Sequence, residues 1–177
     1  MGQAQPEGAI APVAPVIRRA RTADIRGIRA LVAPLAERRV LVSKEAVTYY
    51  EAVQEFRVAE LDGRIVGCGA LHVMWEDLAE IRTLAVAADQ LGSGLGGRLL
   101  AALVEDAKAL GVSRLFCLTF ETSFFERHGF TAIEGQAVTP EVYAELLRSY
   151  DEGVAEFLDL ERVKPNTLGN TRMLRTL

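Results

Sequence analysis

The most constraining feature of this 177-residue chain is the stretch from Leu78 to Leu110, in which three patterns follow one another. The run LAEIRTLAV predicts a strand, LGSGLGG predicts a glycine-rich loop, and RLLAALVEDAKAL has the spacing of an amphipathic helix. Such a loop presents the free backbone amides at the start of the helix to an anion such as a diphosphate. A tight turn with glycine at left-handed positions would give the same letters, so the pattern alone leaves both interpretations open.

Two common nucleotide-binding loops are excluded because parts of them are missing. No Gly-Lys-Ser/Thr follows the glycines, so the lysine and the magnesium-binding hydroxyl of a Walker loop are absent. A dinucleotide-binding fold would continue as a repeating strand-helix series with an acidic residue ending the next strand. Here the next predicted strand, RLFCLTF, ends in Phe120 and Glu121, and the series stops. The loop therefore predicts a ligand other than a nucleoside triphosphate or NAD.

The order IRTLAV, Gly-x-Gly-x-Gly loop and helix, LFCLTF, FFERHGF resembles the GNAT superfamily of acetyl-coenzyme A dependent N-acetyltransferases, from Ile17 to Ile133. RVLVSKE, IVGCGAL, LTFETSFFERHGF and NTLGNTRML further resemble the short N-acetylglutamate synthases of actinobacteria. The resemblance implies an α/β (α+β) fold: a mixed, mostly antiparallel sheet with a central parallel pair, Leu78–Val86 and Arg114–Thr119, flanked by helices. It also implies acetyl-CoA as co-substrate, no metal, and acetylation of L-glutamate or L-glutamine in the first step of arginine biosynthesis.

The resemblance places the coenzyme across the ends of the parallel pair, with its pyrophosphate on the glycine loop. Two positions depart from the family pattern. The Arg or Gln that usually begins the loop is Leu91, which leaves pyrophosphate binding to backbone amides and the helix dipole. The tyrosine that usually protonates the leaving thiolate is Phe125, so the acid would be Thr119, Cys117 or water. The predicted cofactor-binding residues are Leu84, Ala85, Val86, Leu91, Gly92, Ser93, Gly94, Leu95, Gly96, Gly97, Phe125 and Arg127.

Two charged residues lie in the middle of the predicted central strand. With a period of two, Glu80, Arg82 and Leu84 point to one face and Ile81, Thr83 and Ala85 to the other. A strand covered on both faces should be almost wholly apolar, so the two charges indicate either a site or an ion pair at an exposed strand start. In a site, Glu80 would take a proton from the acceptor ammonium and Arg82 would orient it or bind a carboxylate. Glu80 and Thr119 are the predicted catalytic residues.

The predicted acceptor-binding residues lie far apart in the chain. Lys44 stands in the first turn of a helix predicted from Ser43 to Val53, where the synthases carry a cationic residue. The final segment would supply an amide, a hydroxyl and a guanidinium to the amino acid. A solvated lysine and a plain turn with a solvated arginine are the alternatives. The predicted substrate-binding residues are Lys44, Arg82, Asn170, Thr171 and Arg172.

The remaining elements follow from local patterns. Asp62-Gly63 between two runs of strand-forming residues predicts a hairpin with a type I′ turn, and Gly67 and Gly69 predict a bulge or a close backbone approach. His72 and Trp75 are interpreted as packing residues at the strand end. The other predictions are a strand Val16–Ala20, a helix capped by Thr22, a helix from Pro140 broken near Gly153, and a last strand Arg172–Leu177.

Composition restricts the class of protein. At 177 residues, half of them hydrophobic, we expect a disordered tail over 1–15 and a single domain over 16–177. A net charge of −4 without a basic stripe argues against nucleic acid as a partner, and no apolar run could span a membrane. Cys68 and Cys117 are predicted to be reduced core thiols, which favours the cytoplasm.

The expected partner is a small amino-acid substrate, and a homodimer is left open. Three rival functions also remain open at this point. The chain could acetylate another amine such as a protein N-terminus, it could be a non-catalytic acyl-CoA sensor, or it could be an interaction module.

Overall fold

The computed structural model describes residues 13–38, 41 and 44–177, and within them seven strands form one sheet. The strand order is β1-β2-β3-β4-β5-β7-β6, and every neighbouring pair is antiparallel except β4 and β5. This arrangement confirms the predicted mixed sheet with a central parallel pair. The strands are β1 (Val16–Arg19), β2 (Phe56–Leu61), β3 (Arg64–Trp75), β4 (Leu78–Val86), β5 (Arg114–Thr119), β6 (Thr131–Ala132) and β7 (Thr171–Thr176).

Helices cover both faces of the sheet. The third and fourth bury apolar side chains on one face with Ala79, Ile81 and Leu115. The first and second cover β2 and β3 on the other face, and the fifth and sixth cover Phe116 of β5 on that same side. The helices are α1 (Ile25–Glu37), α2 (Ala46–Glu51), α3 (Leu95–Ala109), α4 (Thr122–Arg127), α5 (Pro140–Leu146), α6 (Glu152–Phe157) and α7 (Lys164–Thr167).

Several helix boundaries differ from the predicted ones by a few residues. Thr22 does not cap α1; it begins a short 3₁₀ turn, Thr22–Asp24, because the Asp24 carboxylate accepts a hydrogen bond from the Arg21 amide at 2.7 Å. Helix α2 begins at Ala46, and the predicted Ser43 cap lies outside the described residues. The helix predicted to break near Gly153 is two helices, and Gly153 belongs to the second of them. Asp151 caps α6, which explains why the break precedes the glycine.

The hairpin between β2 and β3 is confirmed. Asp62 and Gly63 have φ angles of 49° and 75°, the two left-handed residues that a type I′ turn requires. Both features predicted at Gly67 and Gly69 are present: the strand register shifts beside each glycine, and α3 approaches closely. A Cβ atom at Gly67 would lie 2.7 Å from Leu99 Cδ1, so the glycines let the helix pack directly on β3.

Both cysteines are free and buried, as predicted. Burial raises the pKa of the Cys68 thiol to about 12, and burial beside Glu80 also raises that of Cys117. Neither thiol is therefore a ready nucleophile. Among the helices of the described residues, none has the length and apolar character needed to cross a membrane.

Candidate active site

The two parallel strands separate halfway along their length. Strands β4 and β5 pair only through Leu78, Ala79 and Glu80, although β4 continues to Val86 and β5 to Thr119. Among the described residues, the edge of β4 that faces β5 has no strand partner beyond Glu80, so its backbone groups can bind a ligand. The predicted pantetheine-binding segment, Leu84, Ala85 and Val86, lies on this open part of β4.

A bulge in β4 corrects the predicted alternation of its side chains. Ala70 of β3 pairs with Arg82 and Cys68 pairs with Ala85, so Thr83 and Leu84 together oppose one residue of β3. Thr83 has a φ angle of 51°, an unusual value for a β-branched residue. The extra residue turns Leu84 toward the α3 face, away from Glu80 and Arg82, and returns Ala85 to the face covered by α1.

The first two and the last two glycines of the loop lie in different environments. Gly92 and Gly94 have φ angles of 76° and 80°, and a Cβ atom at either would meet nothing within 4 Å. These two residues leave open space at the start of α3, as an anion site requires. Gly96 and Gly97 instead face α4: Cβ atoms there would lie 3.4 Å from the Phe124 ring and 3.0 Å from His128 Nε2. Close packing of α4 explains why both positions are glycine.

The other predicted coenzyme residues lie in different environments. Leu91 is 71% exposed, and the Ser93 hydroxyl donates to the Gln90 carbonyl at 2.6 Å. Leu95 is buried in the core beneath the loop. Phe125 is also buried, with its ring 5.1 Å from that of Phe130, whereas Arg127 is exposed. The structure thus gathers the loop residues at the start of α3 and keeps the Phe125 side chain in the core.

A cleft with a volume of about 670 Å³ lies over the middle of β4, on the face opposite α3. Its walls come from four separated parts of the chain: the segment around α2, strands β3 and β4, the start of α6, and the segment before β7. The charged and polar side chains that line it include Lys44, Thr48, Glu55, His72, Glu80, Arg82, Asp151, Glu156 and Asn170. The cleft therefore brings together Glu80 and three of the predicted acceptor residues.

A buried ion-pair network forms the floor of the cleft. Arg82 Nε donates to Glu80 Oε2 at 2.5 Å, and the other two guanidinium nitrogens donate to Asp151 at 2.9 and 2.5 Å. Glu80 is only 4% exposed, so the ion pair predicted as an alternative exists but is not at an exposed strand start. Burial disfavours the charge on Arg82, yet its two partners outweigh burial and raise its pKa. Burial likewise opposes the charge on Asp151, but Arg82 lowers the pKa of that carboxyl to about 2.

Sequence reasoning missed three ionisable residues of the cleft. His72 Nδ1 donates to Glu55 Oε1 at 2.7 Å, and its Nε2 lies 3.9 Å from Asp151. Glu156 of α6 is partly buried, and burial together with the charge of Glu80 raises the pKa of its carboxyl to about 7. A helix-start pattern at Asp151 was visible in the sequence. Nothing local marked Glu156, because its environment comes from distant segments.

Three predicted site residues lie outside the cleft lining. The Thr119 hydroxyl accepts a hydrogen bond from the Glu121 amide at 2.8 Å, and Thr119 pairs with Thr171 across two strands. Arg172 donates to the carbonyl oxygens of Gly135 at 2.8 Å and Phe157 at 2.5 Å. These two hydrogen bonds hold the Arg172 guanidinium against main-chain carbonyls. A substrate could bind the guanidinium only by replacing those hydrogen bonds.

Metal chemistry has no obvious centre in this arrangement. Within residues 13–38, 41 and 44–177, no group of three or more His, Cys, Asp or Glu residues is placed to hold a metal ion. The acidic side chains of the cleft floor are instead bound to Arg82.

Comparison with known proteins assigns the family. Residues 29–130 match the acetyltransferase (GNAT) family. The chain is 58% identical to an amino-acid acetyltransferase of Mycobacterium tuberculosis over 92% of this chain and 95% of that protein. A crystal structure of Rv2747 from M. tuberculosis in complex with CoA and NLQ superposes with a TM-score of 0.89 at 58% identity, covering 92% of this chain and 99% of that one.

A second similar structure is N-acetylglutamate synthase from Neisseria gonorrhoeae, complexed with coenzyme A and N-acetyl-glutamate. Its TM-score is 0.74 at 28% identity, and the match covers 94% of this chain but only 36% of the Neisseria chain. The divided parallel pair, the glycine loop and these similarities agree, and the chain belongs to the acetyltransferase (GNAT) family.

Proposed function

We propose that this protein transfers the acetyl group of acetyl-CoA to the α-amino group of L-glutamine or L-glutamate, the first step of arginine biosynthesis. The observation that carries the proposal is the position of Glu80. It is buried on the cleft floor, at the last residue where β4 pairs with β5. A proton acceptor there would stand between the acceptor cleft and the opening in the sheet. The amino-acid acetyltransferase and the N-acetylglutamate complex found by comparison support the same acceptor class.

The described residues suit acetyl-CoA, whose thioester supplies an activated acetyl group. Open space at Gly92 and Gly94 and the amides that begin the 15-residue helix α3 suit a pyrophosphate. The unpaired edge of β4 suits the amide groups of a pantetheine arm, because both sides then satisfy backbone hydrogen bonds. No arginine or glutamine side chain at Leu91 is needed for this backbone-based site.

The chemistry at the acceptor follows from proton balance. An amino acid arrives as an ammonium ion, whose nitrogen cannot attack a thioester until a proton leaves. Glu80 has one oxygen bound to Arg82, which fixes the orientation of the carboxylate. Lys44 lines the same cleft and supplies a positive charge for the substrate carboxylate. Arg82 is committed to Glu80 and Asp151, and we assign it a positioning role.

The charge of the cleft favours glutamine over glutamate. Lys44 and Arg82 are its basic residues, and Arg82 is already paired. Seven acidic side chains line it: Glu45, Glu51, Glu55, Glu80, Asp151, Glu152 and Glu156. A second substrate carboxylate would be repelled by this excess of negative charge, whereas a side-chain amide would not.

A thiol-release assay with acetyl-CoA against a panel of amino acids and short peptides tests this proposal. We expect turnover with glutamine, weaker turnover with glutamate and none with peptides. Turnover of peptides alone would establish an N-terminal acetyltransferase. Stabilisation by CoA without thiol release from any amine would establish a sensor.

A further inference from the structure

The proposed mechanism gives no role to Glu156, a titratable residue of the acceptor cleft. Glu156 lies on α6 and lines the same cleft as Glu80 and Lys44. Its side chain is partly buried, and no hydrogen bond or salt bridge of the described residues engages its carboxylate. Asp151, which caps the same helix, is already bound to Arg82 and to the Val154 amide.

The position of Glu156 relative to Glu80 is fixed by the way α6 meets β4. Asp151 accepts a hydrogen bond from the Val154 amide at 2.9 Å, and the same carboxylate binds Arg82. Gly153 lets the helix backbone lie directly on the guanidinium, because a Cβ atom there would collide with Arg82. Helix α6 is thereby docked on the pair Arg82–Glu80, and Glu156 follows one turn later.

Charges of both signs surround Glu156. Burial and the negative charge of Glu80 raise the pKa of Glu156 to about 7; Glu152 adds to this effect, while Lys44 and Arg82 oppose it. His72 from β3, Asp151, and Glu45, Glu51 and Glu55 from the α2 side line the same cleft. A carboxyl of this kind is partly ionised at neutral pH and can both take up and release a proton.

Acetylation of an ammonium ion releases two protons from one nitrogen. The first must leave before the lone pair can attack the thioester, and the second leaves as the nitrogen becomes an amide. One of the two ends on the sulfur of CoA and the other in solvent. A single carboxylate that is bound to an arginine, as Glu80 is, would have to handle both in sequence.

We propose that Glu156 is a second catalytic carboxylate, which takes the first proton from the acceptor ammonium and releases it to solvent through the cleft. This inference rests on the proposed function, because it requires an amine acceptor in this cleft. Glu80 then has only the second proton to accept, during attack on the thioester. The two acids divide the deprotonation between them.

The test compares Glu156→Gln with Glu145→Gln in the full-length protein. Glu145 lies on α5 outside the cleft and pairs with Arg148 at 2.7 Å, so its variant controls for loss of one negative charge. For Glu156→Gln we expect kcat/KM for glutamine to fall on the order of tenfold to a hundredfold at pH 7, with the KM for acetyl-CoA unchanged. The rise of wild-type kcat/KM with pH, centred near 7, should also disappear.

A second substrate separates proton transfer from binding. An aminooxy analogue of glutamine arrives with its nitrogen already unprotonated at neutral pH, so Glu156→Gln should turn it over as fast as the wild-type protein does. Equal losses for glutamine and the analogue would overturn the proton-transfer role. Glu156→Asp keeps a carboxylate and should keep the pH dependence; it also serves if the glutamine variant folds poorly.

The outcomes distinguish this inference from the proposed function. A wild-type protein that acetylates glutamine, with a Glu156→Gln variant of unchanged rate and pH profile, would overturn the role of Glu156 alone. A wild-type protein that turns over no amino acid would overturn both.

Discussion

The coenzyme side and the acceptor side of this active site are built from different parts of the molecule. On the proposed coenzyme side, backbone groups would form the site: the open edge of β4, the left-handed glycines and the first turn of α3. On the acceptor side, charged side chains from separated segments converge on Glu80. A site built from backbone groups would tolerate the departure at Leu91, because it would need no side chain for binding. The acceptor site should be sensitive to single side chains.

The largest effect is expected from Glu80→Gln. If Glu80 accepts a proton during transfer, kcat should fall by roughly 10²–10⁴-fold while the affinity for CoA stays nearly unchanged. The deficit should persist as pH rises, because a substrate that arrives deprotonated still has to lose its second proton during attack on the thioester. Measurements of kcat/KM against pH test the acceptor side, and measurements of CoA binding test the coenzyme side.

The double variant Glu80→Gln/Arg82→Gln gives the control. Arg82 would be left buried beside a neutral amide in the single variant, with only Asp151 to balance it. If Glu80 served only as an ion-pair partner, the second substitution should partly restore stability and the single variant should keep a rate within about threefold of wild type. That result would end its assignment as a base.

Gly94→Val on the coenzyme side should have the opposite effect: it should weaken CoA binding and leave the acceptor side nearly unchanged. Valine at a φ of 80° is strained, and its side chain would fill the open space at the start of α3. Loss of several charge-assisted contacts to backbone amides should weaken CoA binding by about a hundredfold or more. The KM for glutamine should change little.

Gly111→Val is a matched control, since Gly111 is also left-handed with open space around it but lies after α3, away from the loop. Both variants carry the same backbone strain. Equal losses of CoA affinity in the two would mean that strain alone, and not the loop, explains the effect.

A smaller effect is expected from Lys44→Met, which removes a cation that lines the cleft. Losing a charge-assisted contact costs about 1.5–3 kcal/mol, so the KM for glutamine should rise on the order of tenfold to a hundredfold. The KM for acetyl-CoA should not follow. Steady-state kinetics with each substrate varied in turn measures the difference.

Arg172→Met sharpens the same comparison. Arg172 was predicted beside Lys44 as an acceptor residue, but its guanidinium binds the carbonyls of Gly135 and Phe157. We expect the variant to lower the melting temperature more than it raises the KM for glutamine. A KM shift as large as that of Lys44→Met would return Arg172 to the acceptor site.

The contrast also explains what could be predicted from the sequence. The glycine loop and Glu80 were recognisable because each signal is local: spaced glycines before a helix, and a charge within an apolar strand. The bulge at Thr83 was not assigned to β4, because the only signal was Gly69 on the neighbouring strand, and the bulge reversed the predicted direction of Leu84. Sequence periodicity cannot detect a change of register that the neighbouring strand imposes.

The acceptor cleft was predicted only in part for the same reason. Lys44 and Asn170 were assigned through a family resemblance, and both line the cleft. His72 was interpreted as a packing residue, and no local pattern singled out Glu156. Their chemistry depends on burial and on neighbours more than 60 residues away in the chain, such as Glu80 for Glu156 and Asp151 for His72.

The smallest expected effect concerns stability and tests the electrostatics of the acceptor side without any substrate. The folded-state pKa of Glu156, about 7, is above its ordinary value of 4.5. Its contribution to stability is therefore fully present below pH 4.5 and is lost as the pH rises through 7. Glutamine resembles the protonated form, so Glu156→Gln should avoid this loss and be more stable than wild type at pH 8.

The gain should be about 1–2 kcal/mol once solvent screening of a partly exposed group is allowed for, or a rise of about 2–8 °C in melting temperature. At pH 4 the two proteins should have the same melting temperature, because Glu156 is then protonated in both the folded and the unfolded state. Thermal unfolding of wild type and variant across this pH range measures the difference. A variant that is less stable than wild type at pH 8 would contradict this prediction. It would mean that positive neighbours, Lys44 above all, stabilise the carboxylate of Glu156 in the folded protein. The acceptor cleft would then be less negative than its seven acidic side chains imply.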